Sequence, residues 1–428
     1  MLAKKQMNYW VVGVLLMSEF IGPGSTLGTA QGGFETGLSV AWNSSFLAVG
    51  FVFYSFFVAP RINALGEYTI SGALARHYGP QVKLLVSITM IVALSTVNVS
   101  NMTGGGAIIA SLFHIDIITA IYCVAAATTL IVAFGGIRGV GGANIIHASC
   151  KYAGLLVVAI TAWLLVHGTP EYFSRIPAGR WSLVEGAGWP QVLAWLIGNI
   201  GAVFSTQYVL QSISALPTPA AARKASLLAA ATILPIGFLA AFVGVLARGA
   251  FPNIKSVTAL PAFFDVMNPW LAALCSSSLI AASLVSILAA QLAVTALVMK
   301  DFYAPLMQPN EHHSIWATRV MSVFVGMVPI PFALYVPAMI NTYFFARSLR
   351  TAISILLLFM LYKPLLASKT GGAVALSVAV IATVIWFVCG NPFGIDNMYV
   401  ALVIPAPILL ADYFLFRRGV PQAKTEQA

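Results

Sequence analysis

Twelve apolar runs, each long enough to cross a bilayer, leave this chain few ways to fold. They lie at about 8–31, 40–60, 83–112, 115–136, 141–167, 188–213, 225–248, 268–299, 316–338, 341–362, 370–390 and 396–416. A helix of about 20 apolar residues crosses a hydrocarbon core of about 30 Å. Only 8% of the 428 residues are charged and 60% are hydrophobic, with mean hydropathy +0.91. Soluble domains carry about 25% charged residues. A β-barrel would show strands of about ten residues that alternate polar and apolar, and these runs do not alternate. The chain is therefore predicted to be an all-α polytopic membrane protein. Its first run follows Lys4 and Lys5 without a small-residue cleavage site, so that run is predicted to be an anchor and not a removed leader.

The net charge of +10 is explained by topology. With the N-terminus placed in the cytoplasm, 15 of the 22 Lys and Arg residues fall on the cytoplasmic side. Arg175, Arg180, Arg248 and Lys255 fall outside, and Lys151, Arg347 and Arg350 lie within spans. The positive-inside rule produces such an excess without a nucleic-acid partner. An even number of spans puts both termini in the cytoplasm, and the expected location is the cytoplasmic (inner) membrane of a prokaryote. The four cysteines (Cys123, Cys150, Cys275 and Cys389) are scattered, with no metal-ligand spacing. There is no Walker A sequence, no nucleophile–base pattern and no selectivity-filter motif. ATP-driven transport, enzymatic chemistry and a channel are thus disfavoured, and no cofactor or metal is expected beyond a coupling sodium ion or proton.

Within the first run, "SEFIGPGSTLG" (residues 18–28) sets an acid, three glycines and a proline where a span would have leucines. "STQYVLQS" (205–212) interrupts the sixth run with polar residues. Broken helices free backbone carbonyls and amides, which lipid does not tolerate unless protein, water or a solute meets them. Interrupted spans at matching places in two halves point to a transporter of inverted repeats with its site near the bilayer midplane.

Several segments carry a family resemblance. "WVVGVLLMSEFIGPGSTLGTAQGGFETG" resembles the first core helix of the sodium:solute symporter family, and "FVAPRINALGEYTISGALARHYG" the connection after the second. "VAFGGIRGVGGANIIH" is similar to the family's loop into the fifth core helix, and "STQYVLQSISALPTPAAARKAS" to its sixth helix. "AASLVSILAAQLAVTALVMKDFY" resembles the eighth, ending in Asp-hydrophobic-Tyr. The resemblance implies a LeuT-type 5+5 inverted repeat with two additional C-terminal helices. Residues 1–167 would hold core helices 1–5, residues 168–363 core helices 6–10, and residues 364–428 the two further helices and a cytoplasmic tail. The extra N-terminal helix of many members would be lacking.

By the same resemblance, a sodium site would take the carbonyls of Ser18 and Ile21, with one carbonyl and two hydroxyls at Ala282, Val285 and Ser286. Val285 has no side-chain oxygen. Asn144, on the ion's route to the cytoplasm, stands where the family often has aspartate. Lys151 follows Asn144 by seven residues, nearly two turns, so it shares that helix face and brings an ammonium group near the depth of the site. Lys151 is thus a candidate replacement for the ion. An ammonium can give up and regain a proton, which would make transport proton-coupled or sodium-independent. The alternative is that Lys151 snorkels or pairs with Glu19.

A charge at mid-bilayer costs at least about 2.5–3.5 kcal/mol, so buried charges mark function. Glu19, Lys151, Arg347 and Arg350 are the four candidates. Arg347 and Arg350, at i and i+3, are expected on one face of the tenth core helix, where two guanidinium groups would receive a carboxylate or other anion. Alternatively one of them pairs with Glu19 or caps the broken helix. Gly22 and Gly24 in the first break, Asn98 and Asn101 on the third helix, and Thr206, Gln207 and Gln211 on the sixth complete the predicted substrate site. His147 is read as a packed polar residue and His312 and His313 as a solvated loop pair. The expected function is secondary active transport of a small organic solute, a carboxylate or other anion, by alternating access. Sodium-coupled symport through a weakened site and a non-transporting solute sensor on the same fold are the alternatives. The expected partners are the solute and the lipid bilayer.

Overall fold

Pro23 decides where the first span stops being one helix. Proline disfavours the α region for the residue before it and brings no N–H of its own. Gly22 is accordingly extended (φ −102°, ψ −172°), and Ile21 leaves helical geometry at φ −94°, ψ 74°. In a computed structural model the described residues are 7–308, 310–335, 339–364 and 368–416, and the side chains of 135–148, 311–312 and 339–342 are outside the described set.

The first repeat proposed above contains α1 (Tyr9–Phe20), α2 (Pro23–Thr36), α3 (Ala41–Phe57), α4 (Ala59–Leu65), α5 (Ile70–Tyr78), α6 (Pro80–Phe113) and α7 (Ile117–His167). There follow α8 (Pro170–Ser174), α9 (Gly188–Ser205), α10 (Gln207–Ser214), α11 (Pro219–Ala250), α12 (Pro269–Leu297), α13 (Ala304–Met307), α14 (Glu311–Met327), α15 (Pro329–Tyr335) and α16 (Met339–Tyr362). The last are α17 (Lys369–Val388), α18 (Asn397–Val403) and α19 (Pro405–Phe416). The described residues contain no strand. Among the described residues ten helical stretches are long and apolar enough to span, and two bent pairs bring the number to twelve. The bends are 49° between α1 and α2 and 48° between α9 and α10.

One expectation changes. The segment expected as a loop into the fifth core helix is helical, and α7 runs for 51 residues with two apolar stretches, Ile117–Phe134 and Ser149–His167. Helical hydrogen bonds satisfy locally the backbone groups that a loop would leave to water.

The helix α11 packs along α1, α2 and α3, while α6 is flanked by α7, α12 and α16. The α2–α11 crossing is set by glycine. A β-carbon on Gly244 would fall 2.0 Å from the Ala30 carbonyl oxygen, and one on Gly33 2.4 Å from that of Ala241. Small residues let membrane helices approach to backbone contact. The first break lies against α6, α12 and α16, and the second against α12 and α16.

Candidate functional site at the two helix breaks

In an unbroken helix the carbonyls of Ser18, Phe20 and Ile21 would meet the N–H groups of residues 22, 24 and 25. The break leaves them free. Lys151, 3% exposed, takes two: its Nζ donates to the Ser18 carbonyl (2.9 Å), the Ser18 hydroxyl (3.0 Å) and the Ile21 carbonyl (3.1 Å). The Ser25 hydroxyl (2.7 Å) and the Tyr343 hydroxyl (3.4 Å) donate to the Phe20 carbonyl. Glu19 interacts electrostatically with Lys151, yet among the described residues no cation lies within 4.0 Å of it, and its buried Oε2 has no partner.

The glycines of the break permit contact with neighbouring helices. A β-carbon on Gly22 would lie 2.6 Å from Ser286 Oγ and 3.0 Å from Asn101 Oδ1. One on Gly24 would lie 2.8 Å from the Tyr343 ring. Asn101 accepts from the Gly24 amide at 3.5 Å. Ala282, Val285 and Ser286 are buried on α12, with the Ser286 hydroxyl unpaired beside Gly22. Asn98 is fully buried and both ends of its amide are unpaired. The side chains of Asn144, His147 and His312 lie outside the described residues.

At the second break Thr206 is extended (φ −69°, ψ 131°). The hydroxyls of Ser205 and Thr206 turn back to the carbonyls of Gly201 and Ala202, a bonding mode that bends helices. Arg350 Nη1 donates to Thr206 Oγ1 (2.9 Å) and its Nε to the Ala346 carbonyl (3.0 Å).

The two arginines start about 60° apart on one face of α16, and their side chains take different partners. Arg347 reaches α3, where its Nη1 donates to the carbonyl (2.9 Å) and Oδ1 (2.5 Å) of Asn43. Neither arginine forms an ion pair with Glu19. Gln207 is also committed elsewhere: its amide donates to the Tyr68 carbonyl and accepts from the Ile70 amide, both at 2.9 Å. Asn63 donates to the Ile213 and Leu216 carbonyls (2.9 Å each) and Ser214 to the Glu67 carbonyl (2.7 Å). These bonds bind α10 to the connection 59–78. Gln211 lies half-buried on α10.

Nearby, Asp301 fastens the end of the eighth span. It accepts from Ser71 Oγ (2.5 Å) and Ser87 Oγ (2.6 Å), and pairs with Lys83 at 3.3 Å. A hollow of about 370 Å³ opens there, and another of about 470 Å³ lies by Trp163 and Trp181; neither reaches the breaks.

Sequence reasoning missed Asn43, Tyr208 and Tyr343. Asn43 opens a polar Asn-Ser-Ser triplet in an otherwise apolar span, the signal that could have found it. Tyr343 sits one helical turn before Arg347, and Tyr208 packs edge-on against Phe20 with centroids 5.2 Å apart.

A model of the sodium:solute symporter family matches residues 1–378. The chain belongs to that family. It is 25% identical over 284 residues to a sodium/myo-inositol cotransporter 2 of Oryctolagus cuniculus, covering 59% of this chain and 41% of the relative. It is 27% identical over 182 residues to a high-affinity proline transporter of Bacillus subtilis, covering 39% and 38%. The chain thus spans about two-fifths of the length of these relatives. A substrate-bound Na+-coupled sialic acid symporter shares the fold at TM-score 0.77 and 15% identity, covering 96% of this chain and 91% of that one. The chain is accordingly a multi-pass membrane protein of a transporter family, with a LeuT-type fold, and not an enzyme.

Proposed function

We propose that this chain is a secondary active transporter of a small organic anion, working by alternating access with Lys151 in place of the coupling sodium ion. One observation carries the reading. Three oxygens that could hold a cation at the first break are instead within 2.9–3.1 Å of the Lys151 nitrogen. An ammonium is a compact point charge with three donors, and it meets three acceptors here. On the solute side, two buried guanidinium groups have no acidic partner within 4.0 Å among the described residues, so an anion would balance them. In this reading the protein lies in the inner membrane of a prokaryote with both termini cytoplasmic, and residues 1–167 and 168–363 are the two repeats.

The test is uptake into proteoliposomes of a panel of small carboxylates under imposed sodium or proton gradients. The expected result is carboxylate uptake indifferent to sodium, driven by protons or by the solute's own gradient. Sodium-stimulated uptake that survives unchanged in Lys151→Ala would overturn the role of Lys151. Uptake of neutral or cationic solutes alone would overturn the anion. The unpaired Ser286 hydroxyl beside Gly22 favours a second reading, sodium symport through a shell lacking the oxygen that Val285 does not supply.

A further inference from the structure

We infer that Asn43 and Arg347 together receive the anionic group of the solute, as a two-donor fork between the second and tenth core helices that fits a carboxylate. This rests on the anionic-solute reading above and assigns it a site.

Arg347 is 1% exposed and Asn43 fully buried. One hydrogen bond, Nη1 to Oδ1, joins the guanidinium to the amide, and Nη1 also reaches the Asn43 carbonyl. What remains on each group is a donor. Arg347 Nη2 and Asn43 Nδ2 are both buried, and among the described residues neither has a hydrogen-bond partner within 3.5 Å, the Tyr343 hydroxyl being a near neighbour of the guanidinium. Each is bonded to the same carbon as one end of that hydrogen bond, so the two orphaned donors belong to one polar cluster. Buried polar groups are nearly always satisfied, and an orphan calls for a missing ligand or water. Two donors in one cluster, one of them charged, suit the two oxygens of a carboxylate.

The surroundings hold the fork rigid. The guanidinium carbon lies 4.5 Å from the Tyr343 ring centroid and 5.6 Å from that of Phe344. Asn199 Nδ2 donates to the Asn43 carbonyl at 2.9 Å, which fixes the amide's backbone. The next residue, Ser44, donates to the Ser25 carbonyl and bonds the Thr29 hydroxyl, both at 2.9 Å. These bonds pack α3 at residue 44, next to the fork, against the start of α2, a helix end that favours negative charge. Arg350 is bound differently. It reaches Thr206 and its own helix, and so braces the second break.

Asn43→Asp is the decisive variant. It keeps the shape, turns the orphaned donor into an acceptor and supplies Arg347 with its own carboxylate. Acetate, lactate, succinate and benzoate are the probes, each paired with its amide, in proteoliposomes of the full chain. Wild type is expected to favour carboxylate over amide, and Asn43→Asp to lose at least about tenfold in carboxylate uptake, with a smaller loss for the amides and the melting temperature held. Arg347→Lys, which keeps the charge but loses the fork, is expected to lose carboxylate preference likewise and serves if the aspartate variant misfolds. If wild type shows no carboxylate preference, the anionic reading and the fork fall together. If wild type prefers carboxylates and both variants still do, only the fork falls. Equal loss for acids and amides would make the pair a joint between α3 and α16, and overturn the fork as well.

Discussion

At the first break an ammonium from α7 meets two carbonyls and a hydroxyl. At the second, a guanidinium from α16 meets one threonine hydroxyl and a carbonyl of its own helix. Under the proposed repeat division these are corresponding events, since the last helix of each repeat sends a cation to the break in the first. The difference lies in shape. An ammonium is a point charge that oxygens can surround, whereas a guanidinium is a flat fork that bonds along its edge. On the proposed reading the first break offers a shell in which a small ion and a lysine are interchangeable, and the second is a strut.

Variants at the two breaks can break this comparison. Lys151→Ala is expected to have the largest effect. It strips the donor from three buried acceptors, each costing about 1–3 kcal/mol when orphaned. The melting temperature in detergent should fall and sodium should restore part of it, because a ligand bound at about 100 times its Kd contributes about 2.7 kcal/mol. An equal sodium response in wild type would end the argument for interchange. Arg350→Met should come next, losing a charged hydrogen bond of about 1.5–3 kcal/mol, with no sodium response. Rescue by sodium there would erase the distinction between shell and strut.

Gln207→Leu should act more locally. Losing the bonds to Tyr68 and Ile70, at about 1 kcal/mol each, should speed hydrogen exchange across 66–78 several-fold, read by mass spectrometry. Unchanged protection would mean that α10 is not tied to that connection through Gln207. Val285→Ser is the smallest change. Alone it should confer no sodium response. Combined with Lys151→Ala it should strengthen the response by no more than about 1 kcal/mol, the scale of one hydrogen bond.

Much of the fold was legible because bilayer physics is strict. Span length and the proline after Gly22 each allow little choice. The position of Lys151 against the first break was also accessible, since helical spacing from Asn144 put it on that face. Its role is a separate matter, for the variants above. Two features were not legible. The spacing of Arg347 and Arg350 says that they are near one another along α16, but the partner of each depends on which helix packs alongside, and Asn43 is 304 residues away in sequence. Gln207 looked like a solute ligand by its place in the break, yet the chain's own connection at 68–70 claims its amide. Polar residues in spans advertise that a partner exists and do not say which.

The lysine at the first break has an electrical consequence. A sodium ion that enters with a solute brings its charge across, whereas an ammonium anchored to α7 returns to its starting place at the end of every cycle. It can balance a bound anion during occlusion but carries no net charge through the membrane. A monoanion crossing alone into a cell at −100 mV therefore works against about 2.3 kcal/mol. With such a resident cation, voltage favours the solute's exit, and coupling of entry to one travelling proton would make the whole cycle silent in a current recording.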